Sequence, residues 1–123
     1  MIKSGIDLIR TNRLESVNPH IRKRFIQRVF TQAEQDQAQD DNETLSGLFA
    51  AKEAVSKALG TGIGRVAWQD IEILHERSGE PFVHLHGNAY SVAQEKGLRH
   101  WSISITHEGG LAAAVAVAIG DPG

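Results

Sequence analysis

An α+β fold with a mostly antiparallel sheet and packed helices is what this sequence predicts, and three observations carry that expectation. Apolar residues recur at helical spacing through the first half, between Asn18 and Gly60. They alternate at the strand period in the second half, between Ile71 and Ile119. Two tight turns, Arg77–Pro81 and Glu108–Gly110, join consecutive strands there, and strands joined so closely must run antiparallel.

The elements follow in order. Ile2 to Ile9 alternates, with Ile2, Ile6 and Leu8 on one face and Lys3, Gly5 and Asp7 on the other, which reads as a strand. Asn18 followed by Pro19 is a cap and a first-turn proline, and Ile21, Phe25 and Val29 give that helix an apolar stripe. Thr31 with Glu34 three residues on is a capping box for a second helix. Asp40-Asp41-Asn42 breaks the pattern and begins a long helix that ends near Gly60. Ile71 and Ile73, then Phe82 and Leu85, mark two extended stretches. Asn88 is placed to cap a short helix that Gly97 closes. Trp101 to Thr106 alternates, with Ile103 and Ile105 opposite Ser102, Ser104 and Thr106. Leu111 to Ile119 is an Ala/Val run whose length and preceding turn favour a buried strand over a helix. The order is β-α-α-α-β-β-α-β-β.

At 123 residues the chain, 1–123, is expected to be one domain. Its 41% hydrophobic and 23% charged content is ordinary for a globular protein. A chain this short buries a modest share of its surface, so assembly with copies of itself is expected. The net charge of −2 gives no global attraction to nucleic acid or membrane. No cysteine is present, which excludes disulfides and thiolate metal sites. The opening MIKSGIDLIR lacks the apolar core of a signal peptide, and no run approaches the roughly 20 apolar residues that span a bilayer. The expectation is a soluble, cytoplasmic protein.

The stretch LFAAKEAVSKALGTGIG, Leu48 to Gly64, carries the chemistry. On a wheel of about 100° per residue, Leu48, Val55 and Leu59 form the buried stripe. Phe49, Glu53 and Lys57 form a second stripe, with Lys52 between the two. A solvated face holding one Glu-Lys pair is one account. The other takes in Gly60-Thr61-Gly62-Ile63-Gly64, since one glycine suffices to end a helix. Three glycines in five positions let backbone amides approach a phosphate, with lysines beside it. A Walker loop has its glycines before the helix, so the reversed order excludes a P-loop NTPase. A carboxylate among lysines suits magnesium, which takes one or two carboxylates and completes its shell with water and substrate phosphate. Asp7, opposite in phase to Ile6 and Leu8, is the candidate second ligand; an edge-strand Asp facing water is the alternative.

With those residues in place, the chain resembles the holo-acyl carrier protein synthases, the short 4'-phosphopantetheinyl transferases. The resemblance rests on GIDLIRTNRLE (Gly5–Glu15), FAAKEAVSKALGTGIG (Phe49–Gly64), WQDIEI (Trp68–Ile73) and SITH (Ser104–His107), and covers nearly the whole chain. It implies a phosphopantetheinyl transferase fold. It also implies a magnesium-dependent transfer from coenzyme A to a serine of an acyl carrier protein, with 3',5'-ADP released, in fatty acid biosynthesis and lipid metabolism. It implies a homotrimer with coenzyme A bound between protomers. By the same resemblance Asp7 and Glu53 correspond to the magnesium ligands and Lys57 to the lysine at the transferred phosphate. Phe49, Lys52 and Gly60, Thr61, Gly62 and Gly64 correspond to coenzyme contacts. Ser104, Thr106 and His107 match the strand segment that lines the nucleotide from a neighbouring protomer. The general base is Glu53, directly or through a water on the metal, or else His107, whose ordinary pKa suits the role.

Acyl carrier proteins are acidic as a class, so docking needs a local basic patch. Arg10, Arg13, Arg22, Lys23, Arg24 and Arg28 all lie within the first 28 residues, with Phe25 beside the i,i+4 pair Arg24 and Arg28. A solvated helix face is the plainer account of the same charges. Use of this helix as a nucleic-acid module is weak without a high pI or interleaved aromatics. A non-catalytic coenzyme A-binding role is opposed by the presence together of Asp7, Glu53 and Lys57. His84 and His86 share a strand face, but no third ligand is evident from the sequence, and they read as structural or exposed. Trp68 and Trp101 read as packing residues.

Overall fold

The computed structural model describes residues 1–121. Five helices and five strands are arranged as β1 (Ile2–Arg10), α1 (Asn12–Glu15), α2 (Pro19–Val29), α3 (Gln32–Ala38), α4 (Asn42–Leu59), a 3-10 turn (Trp68–Asp70), β2 (Ile71–His75), β3 (Pro81–Leu85), α5 (Gly87–Lys96), β4 (His100–Glu108) and β5 (Leu111–Ile119). All strand pairing among the described residues is antiparallel, in a three-stranded sheet of order β1-β5-β4 and a β2-β3 hairpin. The α+β expectation holds. The four-residue α1 has no counterpart in the sequence reading, because one turn shows no periodicity.

Helix α4 is the central rod, with twelve of its eighteen residues buried, so it packs on several sides rather than along one stripe. Asp41 caps it, accepting from the Thr44 amide at 2.9 Å and hydroxyl at 2.7 Å. Small residues let it lie close on the sheet: Ala50, Ala51, Ala54 and Ala58 face the sheet row Gly5, Ala112, Ala114, Ala116 and Ala118, all buried. A Cβ on Gly5 would stand 1.9 Å from the Ala54 carbonyl oxygen, so only glycine fits there.

The sheet therefore turns its small-residue face to α4 and its larger apolar side chains outward. Ile6 and Leu8 of β1 are 66% and 62% exposed, joined across the register by Val115 and flanked by Ser104 and Thr106. The expected buried strand is buried on one face only: the β5 alanines are covered, whereas Val115, Val117 and Ile119 are exposed. It also places Asp7 on the helix side, not toward water at an open edge.

Two smaller corrections concern caps and stripes. His86 is the N-cap residue of α5, and the Asn88 side chain donates instead to the Arg65 carbonyl at 3.1 Å. In α2 the buried positions are Ile26 and Val29, with Phe25 half-buried and Ile21 exposed. The capping box at Thr31 and Glu34 is present, and Gly97 closes α5 in the left-handed region with φ 70°. No helix among the described residues is long and apolar enough to cross a membrane.

Candidate active site

Strand β1 and helix α4 bring Asp7, Glu53 and Lys57 into one corner. Asp7 faces α4 because the strand alternation that buries Gly5 places Asp7 on the same side. Lys57 Nζ donates to the Ile6 carbonyl at 2.8 Å and to Asp7 Oδ1 at 3.2 Å, across 50 residues of sequence. Glu53, one turn earlier on α4, is half-buried, and its carboxyl is pushed up first by burial and then by the Asp7 charge. Lys57 pulls it the other way by less. A carboxyl raised by burial and by a neighbouring carboxylate, with one partly exposed lysine on that neighbour, is a corner whose chemistry suits a divalent cation. The sequence-expected metal ligands are thus brought together.

Lys52 is not part of that corner. It is fully buried, and Nζ donates to Glu34 Oε1 at 2.8 Å and to the carbonyls of Trp68 at 3.0 Å and Ile71 at 2.5 Å. Burial lowers its pKa, and Glu34 draws it back up. Every donor direction is spent inside the protein, so the expected coenzyme contact is replaced by a structural ion pair. Glu34 is in turn fixed by the amides of Thr31 and Ile73, both at 2.8 Å. The capping box named Glu34 in the sequence, but nothing in a linear pattern joins it to Lys52.

The glycine loop also differs from expectation. Gly60 is the left-handed C-cap of α4 at φ 81°. The amides of Gly60, Thr61 and Gly62 all donate to the Ser56 carbonyl, at 3.1, 3.3 and 3.2 Å, and the Gly64 amide donates to the Val66 carbonyl at 3.0 Å. The first three amides point back into the helix end and the fourth closes the following loop, so none is left for a phosphate cradle, and that helix end carries the negative pole of the helix dipole. Lys96 Nζ, from α5, donates to the Leu59 carbonyl and supplies positive charge at this helix end. That residue was missed, because its only sequence signal is a lysine in the last turn of another helix. Gly64 and Ile63 line an open groove of about 370 Å³ together with Arg28, Ala67, Trp68 and Gln69.

Phe49 stacks between Phe25 and Trp68, with ring centroids 5.6 and 4.8 Å away. Its other edge lines a 190 Å³ apolar pocket with Ile9, Leu14, Ile21 and Phe25, and Arg13 stands among the lining residues. Ser46, also lining it, has a buried hydroxyl oxygen without a protein partner. Ser104 and Thr106 are exposed on the outward face of the sheet. His107 is not in the Asp7 corner of its own chain. It lies on β4, separated from β1 by β5, with Nδ1 3.7 Å from Glu43 and its ring against Gly47 near the start of α4.

The basic patch is smaller than the sequence suggests. Arg22 is engaged by Asp40 Oδ1 at 2.7 Å and Asn42 Oδ1 at 2.6 Å, tying α2 to the α3–α4 turn. Its guanidinium is therefore withdrawn from any docking surface. Arg10, Arg13, Lys23, Arg24 and Arg28 are exposed.

Comparison with known proteins identifies the family. The profile of the 4'-phosphopantetheinyl transferase superfamily matches residues 3–116. The holo-[acyl-carrier-protein] synthase of Herpetosiphon aurantiacus is 41% identical, over 98% of this chain and 100% of that protein. That of Moorella thermoacetica is 46% identical, over 95% and 93%. Among solved structures, Helicobacter pylori holo-[acyl-carrier-protein] synthase in complex with coenzyme A superposes with a TM-score of 0.85 at 32% identity, covering 97% of this chain and 100% of that one. The Bacillus anthracis enzyme in complex with CoA (3',5'-ADP) gives a TM-score of 0.77 at 32% identity, covering 97% and 96%.

Proposed function

The chain belongs to the 4'-phosphopantetheinyl transferase superfamily, and from that membership we propose that it is a holo-[acyl-carrier-protein] synthase. It transfers the 4'-phosphopantetheine group of coenzyme A to a serine of an apo-acyl carrier protein and releases 3',5'-ADP. The carrying observation is the meeting of Asp7, Glu53 and Lys57, distant in sequence, around one corner able to grip a diphosphate.

Asp7 and Glu53 are the residues that would hold a magnesium ion, and their mutual repulsion fits that role. When bound, the ion supplies positive charge against the diphosphate oxygens. In the transfer, the serine oxygen bonds to the β-phosphorus, the bond from that phosphorus to the bridging oxygen breaks, and 3',5'-ADP departs with the electron pair. Glu53, standing in the same corner, is the group assigned to accept the serine proton. Lys57 stands as a point charge against the negative charge that builds on the departing 5'-phosphate oxygen of 3',5'-ADP. Phe49 and the Ile63–Gly64 groove, with Trp68, are offered as coenzyme contacts.

The chain functions as a single domain, 1–123, in a homotrimer. The support is the outward apolar face of Ile6, Leu8, Val115 and Val117, which a lone chain would leave wet. In that assembly Ser104, Thr106 and His107 reach the coenzyme of a neighbouring protomer. His107 can serve as base only across such an interface. The acidic carrier protein docks on Arg10, Arg13, Lys23, Arg24 and Arg28, with Phe25 beneath. The protein works in the cytoplasm, in fatty acid biosynthesis.

The test is to incubate the chain with coenzyme A, Mg²⁺ and apo-carrier protein and to weigh the carrier. A mass gain of one phosphopantetheine is expected, with none from Glu53→Gln that keeps its fold. Near-normal transfer by Glu53→Gln would overturn the metal and base assignments together.

A further inference from the structure

The β2-β3 hairpin gathers three metal-binding side chains that share no residue with the corner described above. Glu72 and His84 are direct cross-strand partners, and His86 stands two residues beyond His84. Glu72 Oε1 is 3.0 Å from His86 Nε2 and 3.6 Å from His84 Nδ1. One donor atom from each residue lies within 4.8 Å of the other two. Ligands about 2.0–2.1 Å from one ion sit roughly 3.3 Å apart in a tetrahedron, so small side-chain adjustments would let all three share it.

The support around the cluster fits the same reading. Glu72 is buried, and its second carboxylate oxygen accepts from the Thr31 hydroxyl at 2.6 Å. That bond holds one oxygen and leaves the other aimed at the imidazoles, as second-shell donors do at metal centres. Both histidines are about half-exposed, so the cluster has a fixed floor and an open mouth. Two imidazole nitrogens and one carboxylate oxygen suit zinc, cobalt, nickel or copper, whereas magnesium takes oxygen ligands.

We propose that Glu72, His84 and His86 form a second metal site, for a divalent transition ion of the zinc class, distinct from the magnesium site at Asp7 and Glu53. Water completes its shell. The ion pins the hairpin to the start of α3 through Thr31. It stands next in sequence to Ile73, whose amide anchors the Glu34–Lys52 pair.

The test is titration of the full chain with Co²⁺ in millimolar Mg²⁺, followed by visible absorption, with Zn²⁺ as competitor. One Co²⁺ per chain with a d–d band is expected, displaced by Zn²⁺ and retained in Glu53→Gln. Binding should fall at least about tenfold in His86→Ala and more in the His84→Ala/His86→Ala pair. Saturable binding that is absent, unchanged in the double variant, or lost in Glu53→Gln would overturn the proposal. Should either histidine variant fail to fold, Zn²⁺ titration of the unsubstituted protein by NMR decides. The imidazole signals of His84 and His86 should move and those of His20, His75 and His100 should not; the reverse pattern refutes the site.

Discussion

Replacing Lys52 by Met separates two roles that the family resemblance and the fold assign differently. The change removes the three bonds of the buried ammonium, to Glu34, Trp68 and Ile71. It leaves the Glu34 carboxylate buried, with only the amides of Thr31 and Ile73 against it. Breaking one side of a buried ion pair costs about 3–5 kcal/mol. The lost bonds belong to the same group and are not added again, so about 4 kcal/mol is expected. That is a large part of the roughly 5–15 kcal/mol that holds a domain together. With a urea slope of about 1.5 kcal/mol/M for a chain of this size, the midpoint should fall by roughly 2–3 M at fixed protomer concentration. Lys52→Met/Glu34→Gln should recover much of the loss, because no charge then stays buried. The KM for coenzyme A, measured well below the transition, should change little. An unchanged urea midpoint with a weakened coenzyme A KM would refute this reasoning and restore Lys52 as a ligand.

Glu53→Gln, expected to abolish transfer, should also raise the thermal midpoint of the metal-free protein, because it removes a desolvated charge beside Asp7. Arg24→Glu with Arg28→Glu should raise the KM for carrier protein and flatten its salt dependence, with coenzyme A binding intact; Arg22→Ala should instead lower stability by about 1 kcal/mol, read by urea unfolding. Asp41→Ala should cost about 1 kcal/mol through the lost helix cap. The Asp41 carboxyl is held below its ordinary range by the Thr44 hydroxyl and then the Thr44 amide, so its contribution is present at neutral pH and fades as pH falls through that lowered range. Unfolding curves of the two proteins should therefore converge in acid. Val117→Glu should shift the assembly toward monomer by sedimentation and lose transfer with it.

Local chemistry was legible and long-range pairing was not. Helix starts at Asn18, Thr31 and Asp41 were readable because each depends on residues within four positions. The hairpin turn before Pro81 was readable for the same reason. Which face of β1 meets the core was not. Ile2, Ile6 and Leu8 carry the hydrophobicity, yet α4 lies on Gly5 and Asp7, and only the close backbone approach at Ala54 explains the choice. The strand pattern alone could not distinguish an apolar face buried by the chain's own helix from one left for another copy. The glycine loop misled in a similar way. Its left-handed residues were correctly marked by composition, but where the amides point is set by the free Ser56 and Lys57 carbonyls at the helix end. His84 and His86 lacked a third ligand in the sequence because Glu72 arrives by strand pairing from twelve residues upstream.

Lys52 and Glu53 are neighbours in sequence, and their fates differ because about 100° of helix rotation separates them. One side chain enters the layer between α4, α3 and β2, where a carboxylate and two carbonyls wait. The other emerges against β1, where Asp7 and Lys57 are the charges that act on it among the described residues. The first charge is neutralised inside the fold and contributes to stability. The second is left only partly compensated, which costs stability and is the basis for assigning a cation to it. The pair of small-residue faces that lets α4 touch β1 so closely is therefore also what brings Glu53 within reach of Asp7. A larger residue at Gly5 would push the helix out and separate the two carboxyl groups. Gly5→Ala should consequently lose magnesium-dependent transfer even in preparations that still fold, a coupling between packing and chemistry that Ala54 and Gly5 enforce from opposite sides of the same contact.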